Sequence, residues 1–515
     1  MGRIVAERNP GHRSTAHHAS LGIPRREPRG RKGRVLGDTH EGAKRFTDWA
    51  RLFATVRVRG GPVQLRRVAV IGAGLAGLEA ALRLQRAGVR VVLIEREPHP
   101  GGRAAGTLLH GFRFTPGAHA FRSGDRRLRE RLVSLGLGRE IEPLSPGAEG
   151  QLLRDRVSAI YPTRLRGVAR IPGAGLRVLR LPRFRRLLAR YGRVLDGEVP
   201  ERAAGVDDRS AFEFGRLYFG RRLAERWIET TLAEVTLGEA NETSRVLFLL
   251  RHGLGAGAQR VALRPGIGAL VEAMTKGMTL QLGVDAATLE PSAEGGLRIV
   301  AAGAPSCSFE ADAVVCATPP TEAVRIANPL LSYAERSFFA ESRAVASVVL
   351  SVALASERIP GPRRVRIAPV EALPLSHVAI EAGSKGGAIP AGSAVVTLIA
   401  RDAWSRPHLA APAEVVEKEL LVHGERIVSA LAHTPLFTQL ARWEYAYPRF
   451  DVGRFRAIGR FQAIQEQARR DGRRLYFAGD YLVGPCMEGA LASGARVADA
   501  VLSDLGVPTP RAERP

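Results

Sequence analysis

Three glycines, Gly72, Gly74 and Gly77, stand in G-x-G-x-x-G spacing, and a carboxylate, Glu95, follows 18 residues after the last of them. Residues of these types at this spacing suit the diphosphate and one ribose of a dinucleotide. Gly72 permits a tight turn, Gly74 lets the backbone approach a pyrophosphate, and Gly77 allows a helix to sit close on a sheet. Ala73 belongs to the same loop. A helix starting there offers N–H groups without intrahelical acceptors and the positive end of its dipole, both of which attract phosphate. Glu95 is spaced to accept hydrogen bonds from both ribose hydroxyls.

The flanking residues supply the elements these groups need. The β-branched run 68–71 predicts a buried strand, and Leu and Ala recur at helical intervals until Gly88. A second apolar run, 89–94, ends at Glu95. The result is one β-α-β unit with an acid closing its second strand. After it come Gly101-Gly102-Arg103, small residues that let a second segment lie against a cofactor, with Arg103 able to reach a phosphate. The far end of the chain repeats the chemistry: a strand over 475–478, then Gly479-Asp480, a loop, and a helix from about Glu488.

Between these ends, the run 311–317 predicts a buried strand that stops at Pro319-Pro320, and 280–284 and 297–300 predict two more. Strands over 346–354 and 394–400 and a helix over 413–432 follow a different order. The expected fold class is α/β: a Rossmann-type binding domain with a parallel sheet, interrupted by an inserted α+β substrate-binding domain. On this reading 66–150, 264–320 and 441–505 form the first domain, and 151–263 and 321–440 the second. Residues 1–65 and 506–515 are expected to be disordered tails.

Composition narrows the class. At 515 residues the chain calls for more than one simple core. Mean hydropathy is −0.06, and no apolar run reaches the roughly 18 residues of a membrane span, which predicts a soluble globular protein. The three cysteines, Cys307, Cys316 and Cys486, lack C-x-x-C spacing, so a disulfide scaffold and a thiolate metal site are not expected, in keeping with a reducing cytoplasm. Net charge is +25, yet 71 of the 76 basic residues are arginine, a skew that spreads charge rather than building a groove. No recognition-helix pattern accompanies it, and no nucleic acid partner is expected. The segment 1–65 carries 14 basic and 5 acidic residues. It reads either as an artefact of start-site choice, with the chain proper beginning near Val63, or as an organelle-type presequence centred on 45–59. The stretch 164–193 holds ten arginines and no acid, with leucines alternating among them. It reads as a peripheral contact with an anionic membrane surface or as a solvated helical face.

Together, VAVIGAGLAGLEAA, Glu95, Gly101-Gly102-Arg103, ADAVVCATPP and AGDYLVGPCMEGALASGARVA resemble the FAD-dependent amine oxidase superfamily. That group includes amine oxidases, protoporphyrinogen oxidases, phytoene and carotenoid desaturases and hydroxysqualene dehydroxylase. The resemblance implies FAD, with Gly72, Ala73, Gly74 and Gly77 at the pyrophosphate and Glu95 at the adenosine ribose. It implies Gly102 and Arg103 along the diphosphate and ribityl side, and the Val284 backbone at adenine. It implies Gly479 and Asp480 at the ribityl phosphate, and the Met487 amide facing the flavin C2 carbonyl. His119 and Glu488 are the candidates for a catalytic base.

Departures from the pattern bear on substrate. Amine oxidases of this group usually carry a tyrosine before Met-Glu-Gly-Ala, where this chain has Cys486. Their active-site lysine has no counterpart between Lys276 and Lys385, and no flavin-tethering cysteine precedes Arg474, so FAD is expected to be non-covalent. RWEYAYPRFDVGRF, at 442–455, resembles protoporphyrinogen oxidases, and GDYLVGPCMEGALASG resembles carotenoid desaturases. The expected activity is hydride abstraction from a large hydrophobic substrate, a protoporphyrinogen-like tetrapyrrole or an isoprenoid precursor. An amine oxidase releasing hydrogen peroxide and a non-catalytic flavin-binding scaffold are the alternatives.

Overall fold

The β-branched run after Arg66 forms the strand Arg67–Ile71 at the centre of a five-stranded sheet, all of whose pairings are parallel. Val70 pairs with Leu93 on one side and Val315 on the other. The strand order is Thr279–Leu282, Arg90–Glu95, Arg67–Ile71, Ala313–Cys316, Leu475–Phe477. Both faces of such a sheet must be covered, which is why these strands read as continuous apolar runs. In a computed structural model the described residues are 66–508, without 118–119, 145–148, 155, 159–164, 170, 172–173, 238–239, 254–258, 294, 303–307 and 356–358. The readings made for 1–65, for His119, for Cys307 and for most of the C-terminal tail lie outside them.

The helices Leu75–Arg86 and Met487–Asp504 pack against each other on this sheet. Their approach depends on missing side-chain atoms: a Cβ on Gly494 would stand 2.2 Å from the Ala76 carbonyl oxygen. Leu78, Leu84, Val501 and Leu502 are fully buried in the core they share. Each such side chain contributes about 1.5–3 kcal/mol of burial.

The second layer is a seven-stranded sheet in the order Phe437–Pro448, Ala344–Leu354, Ala394–Ala400, Leu375–Ala382, Arg364–Ile367, Glu149–Leu153, Arg156–Ser158. It is antiparallel except where Arg364–Ile367 meets Glu149–Leu153. Helix Glu229–Thr236 packs on it, helices Ala211–Phe219 and Arg245–Gly253 pack on each other, and Phe184, Phe214, Phe219, Trp227 and Phe248 cluster among the helices, with ring centroids 5.0–6.4 Å apart.

Several expectations shift at their edges. The segment boundaries at 150/151 and 440/441 fall inside the strands Glu149–Leu153 and Phe437–Pro448 of the seven-stranded sheet. Strand Arg260–Leu263 pairs with Phe121–Arg122 and Ile141–Pro143 rather than with that sheet. Alternation shows that a strand exists but not which sheet receives it, and register with distant partners decides that. The expected helix over 413–432 ends at Glu425 and gives way to a 3-10 turn at Ser429–Ala432. Replacing Gly494 by Ala is expected to destabilise the protein by about 1–3 kcal/mol, because the added methyl meets backbone rather than a side chain that could move. A melting temperature equal to the parent's would show that the helix pair opens without cost.

Candidate functional site

The first turn of the helix Leu75–Arg86 rests directly on the glycine loop. Gly72 has φ of +101°, and a Cβ there would lie 2.8 Å from the Ala317 carbonyl oxygen. At Gly77 a Cβ would lie 1.9 Å from the Gly72 carbonyl oxygen, so no side chain fits between loop and helix. Gly74 is different: nothing lies within 4 Å of its Cβ position, and it borders the main cavity. The loop is thus closed on the sheet side and open on the cavity side, as a backbone that must approach a ligand requires.

Ala73 corrects the sequence reading. Its N–H donates to Glu95 Oε2 at 2.7 Å, and its carbonyl accepts from the Gly101 N–H at 2.8 Å. Both backbone groups are committed within the protein, so Ala73 ties the loop to its neighbours instead of donating to a phosphate. Glu95 Oε1 also accepts from the Glu97 N–H at 3.0 Å, and the carboxylate borders the cavity with acceptor capacity remaining. Val284 lies beyond the strand Thr279–Leu282, after Gly283, and not on it as expected. Its N–H donates to the Glu95 carbonyl at 3.0 Å, leaving its carbonyl for any contact with a base.

Arg103 is the larger correction. Its guanidinium donates to Asp480 Oδ2 at 2.7 Å, to Asp480 Oδ1 at 2.9 Å and to the Ala446 carbonyl at 3.0 Å, and it stands 5.4 Å from the Tyr445 ring centroid. Burial lowers its pKa, but the Asp480 carboxylate more than reverses this and raises it above the ordinary value. Arg103 is therefore a clamp on Asp480 and not a free phosphate ligand. The Gly479 N–H is likewise committed, to Ser493 Oγ at 2.9 Å. Gly102, with φ of +52°, sits beside Gly74, its Cβ position 3.5 Å from the Gly74 Cα.

One cavity of about 780 Å³ joins all of these: it runs from Gly72, Gly74, Glu95 and Val284 past Gly102, Arg103, Gly479 and Asp480 to Met487. Met487 is the first residue of the helix Met487–Asp504, which brings that helix's positive end to the cavity wall. Cys486 caps the same helix, its sulfur 3.4 Å from the Gly489 N–H. Cys486 is exposed where its thiol opens on the cavity, and the mass of protein around it still withdraws it from bulk water and pushes it up to about 12. It is a neutral thiol at physiological pH.

Glu488 is not placed as a base. Its two carboxylate oxygens accept from the Arg127 and Leu128 N–H groups, both at 2.9 Å, and so cap the helix Arg126–Ser134 from across the chain. Burial raises its pKa against those bonds.

Sequence reasoning missed the walls beyond the cofactor end. Trp443, Tyr445 and Tyr447 all line the cavity, from the end of Phe437–Pro448 where its pairing with Ala344–Leu354 shifts register. The Tyr445 hydroxyl and the Trp443 Nε1 are buried without a hydrogen-bond partner among the described residues. Burial raises the pKa of both tyrosines, so they are neutral hydroxyls. Arg122, Arg251, Arg260 and Arg364 also line it, with Glu234. The available clue was RVRI at Arg364–Ile367, where charge sits between apolar residues in a strand that is buried throughout.

The fold is similar to that of a protein from Exiguobacterium sp. 255-15 described as a protoporphyrinogen oxidase, with a TM-score of 0.67 at 16% identity, covering 86% of this chain and 99% of that one. It is similar to the cyclohexylamine oxidase of Brevibacterium oxydans IH-35A, with a TM-score of 0.64 at 18% identity and coverage of 86% and 99%. At such identity the likeness carries the fold. By sequence, a phytoene dehydrogenase from Streptomyces griseus is 56% identical over 57 residues, or 11% of each chain. Protoporphyrinogen oxidase 2 of Arabidopsis thaliana is 30% identical over 99 residues, or 19% of each. These matches span less than a fifth of either relative's length. The pattern that describes the flavin containing amine oxidoreductases extends much further, over residues 75–502, and with the glycine cradle at one end and the cavity-facing helix start at the other, the chain belongs to that family.

Proposed function

We propose that this flavoprotein binds FAD non-covalently and removes hydride from a large, mainly apolar substrate, a protoporphyrinogen-like tetrapyrrole or an isoprenoid precursor. The observation that carries the proposal is the continuity of the cavity. The same space that opens over Gly74 and Glu95 extends to apolar walls of Val235, Leu237, Leu247, Leu250, Val349 and Ile399. About 780 Å³ falls toward the upper end of the range for cofactor and ligand sites.

The residues present fit FAD. Gly74 leaves open backbone at the helix start, Glu95 offers a carboxylate at adenosine-ribose spacing, and the Met487 end of the last helix supplies fixed positive potential. Trp443 and Tyr445 border the same space with their aromatic rings. FAD, when bound, supplies the hydride acceptor. The protein's own part is positioning and exclusion of water. Tyr445, Tyr447 and Cys486 are held neutral, and Glu488 is occupied as a helix cap, so these groups orient a substrate rather than take its proton. Hydride transfer from a well-placed donor needs no strong side-chain base.

Anaerobic titration separates the readings. Flavin absorbance is expected to bleach with protoporphyrinogen or phytoene and to persist with putrescine and cyclohexylamine. Bleaching by the amines, with peroxide on admitting air, would replace this reading by an amine oxidase. A flavin reduced by none of them would leave a flavin-binding scaffold. Acid precipitation is expected to release all yellow colour into the supernatant as FAD, and colour retained by the precipitate would overturn non-covalent binding.

Within 164–193, Gly175–Arg180 and Leu181–Tyr191 form a helical surface. Leu176 is 83% exposed and Leu179 70%, beside exposed Arg177, Arg180, Arg183, Arg185 and Arg186. Exposed leucines among cationic heads support docking on anionic lipid. No helix among the described residues is long and apolar enough to cross a membrane. Co-sedimentation with phosphatidylglycerol vesicles is expected, and it should be lost when Arg180, Arg185 and Arg186 are changed to Glu. Binding that survives this change would move the contact elsewhere.

A further inference from the structure

Four guanidinium groups share two carboxylates beside the cavity. Arg251 comes from the helix Arg245–Gly253, Arg260 from the strand Arg260–Leu263, and Arg364 and Arg366 from the strand Arg364–Ile367. Glu234 stands within ion-pair distance of all four: Arg251 at 3.1 Å, Arg364 at 3.0 Å, Arg366 at 3.1 Å, and Arg260 in shorter contact. Glu149 takes Arg260 at 2.7 Å and Arg366 at 3.0 Å. These side chains are only 1–12% exposed. Within this set four cations face two anions. Arg122 adds another cation and Asp125 another anion on the side nearer Cys486. Glu381 adds a smaller attraction at Arg364 than Glu149 does. With Arg122, Asp125 and Glu381 the count is five against four, one positive charge in excess.

An uncompensated buried charge is costly, and its neighbours register it. Burial first, then repulsion from Arg122 and Arg366, pushes Arg251 down to about 9, and burial with Arg366 pushes Arg364 down to about 10. Burial works against Glu149 as well, yet Arg366 and Arg260 hold it down at about 2. Guanidinium nevertheless stays charged at neutral pH, so the excess persists. Hydrogen-bond capacity is also unmet. Among the described residues, Arg251 Nε and Arg366 Nη1 are buried without a partner, and Arg364 Nε, though close to Glu234, is not aligned with it. A network built only to join strands and helices would balance its charges.

Arg251, Arg260 and Arg364 line the same cavity as the cofactor cradle, and Leu247, Leu250 and Val349 stand among its walls. We propose that this arginine cluster is the subsite for an oxyanion, a carboxylate or phosphate, carried by an otherwise apolar substrate. The anion supplies the missing negative charge to the three guanidinium groups that border the cavity, Arg251, Arg260 and Arg364, whose forks match planar oxyanions. This rests on the reading of the cavity as a substrate chamber and deepens it. A neutral hydrocarbon leaves the excess charge unanswered, and a cationic amine adds to it.

The test compares matched ligands by calorimetry on the flavin-loaded protein: dodecanoate, dodecyl phosphate and methyl dodecanoate below their micellar concentrations, then mesoporphyrin and its dimethyl ester. Dodecanoate or dodecyl phosphate is expected to bind about tenfold or more tightly than the ester, and the better of the two identifies the oxyanion. Free mesoporphyrin should exceed its diester in the same way. Arg251→Gln and Arg364→Gln should each cut the acid-to-ester ratio severalfold, with melting temperature held or raised because a buried cation is gone. Esters binding as well as acids, or no saturable binding by any acid, overturns the subsite even if the diester enters and the tetrapyrrole reading stands. Preference for dodecanoate with no binding of either porphyrin does the reverse: the subsite stands and the tetrapyrrole falls. The comparison on the unmodified protein decides the matter even if neither variant folds.

Discussion

The bidentate pair between Arg103 and Asp480 joins residues 377 positions apart on the wall of the cavity. Arg103 leaves the first β-α-β unit, Asp480 follows the last strand of the same sheet, and the Ala446 carbonyl brings in the long strand of the second sheet. Three segments thus meet on one guanidinium. The Asp480 side chain is 5% exposed and that of Arg103 35%, so losing Arg103, which strands the buried carboxylate, costs more than losing Asp480, whose partner solvent can screen. A cofactor cradle made from both ends of a chain needs such a closure, since neither end encloses a cavity alone.

The parts legible in the sequence were those fixed by local physics. Glycine spacing, β-branched runs and the acid at position 95 each act within a few residues of themselves, and the parallel sheet formed where they indicated. The closing helix was legible for the same reason, although its small residues say more than was read from them: Gly494 and Gly489 let backbone approach backbone. Partners across the chain could not be read in this way. Arg103 looked like a phosphate ligand because its context was cationic and glycine-rich, and nothing nearby announces that Asp480 takes it. Glu488 looked like an acid beside a flavin, and it became the cap of a helix that begins at Arg126. Ala73 kept its place in the loop and lost its donor to Glu95.

The arginine cluster was hidden for a different reason. In a chain with 71 arginines, five that turn inward look like the rest. Burial is a property of the register that Arg364–Ile367 adopts against Leu375–Ala382 and Glu149–Leu153, and that register depends on residues more than 200 positions away. So many arginines spread along the chain average out in its composition, and that averaging conceals a charge imbalance that matters only because it lies out of water.

The two ends of the cavity differ in kind. Around Met487 the thiol of Cys486 and the hydroxyls of Tyr445 and Tyr447 are pushed toward their protonated forms, and the one ionised pair there, Arg103 with Asp480, balances its own charge. Around Glu234 the charge is fixed and in excess. On the proposed reading, an oxyanion anchored at the charged end would place the substrate body beside the neutral Cys486, Tyr445 and Tyr447 and the mutually paired Arg103 and Asp480. Binding energy gained at the remote head group then orients the apolar body, which is how an enzyme without a strong base lowers a hydride-transfer barrier. Cys486 suits that division. Its thiol occupies less space than the aromatic ring found there in amine oxidases and brings no charge, so a broad apolar face can lie where a small amine would otherwise be caged.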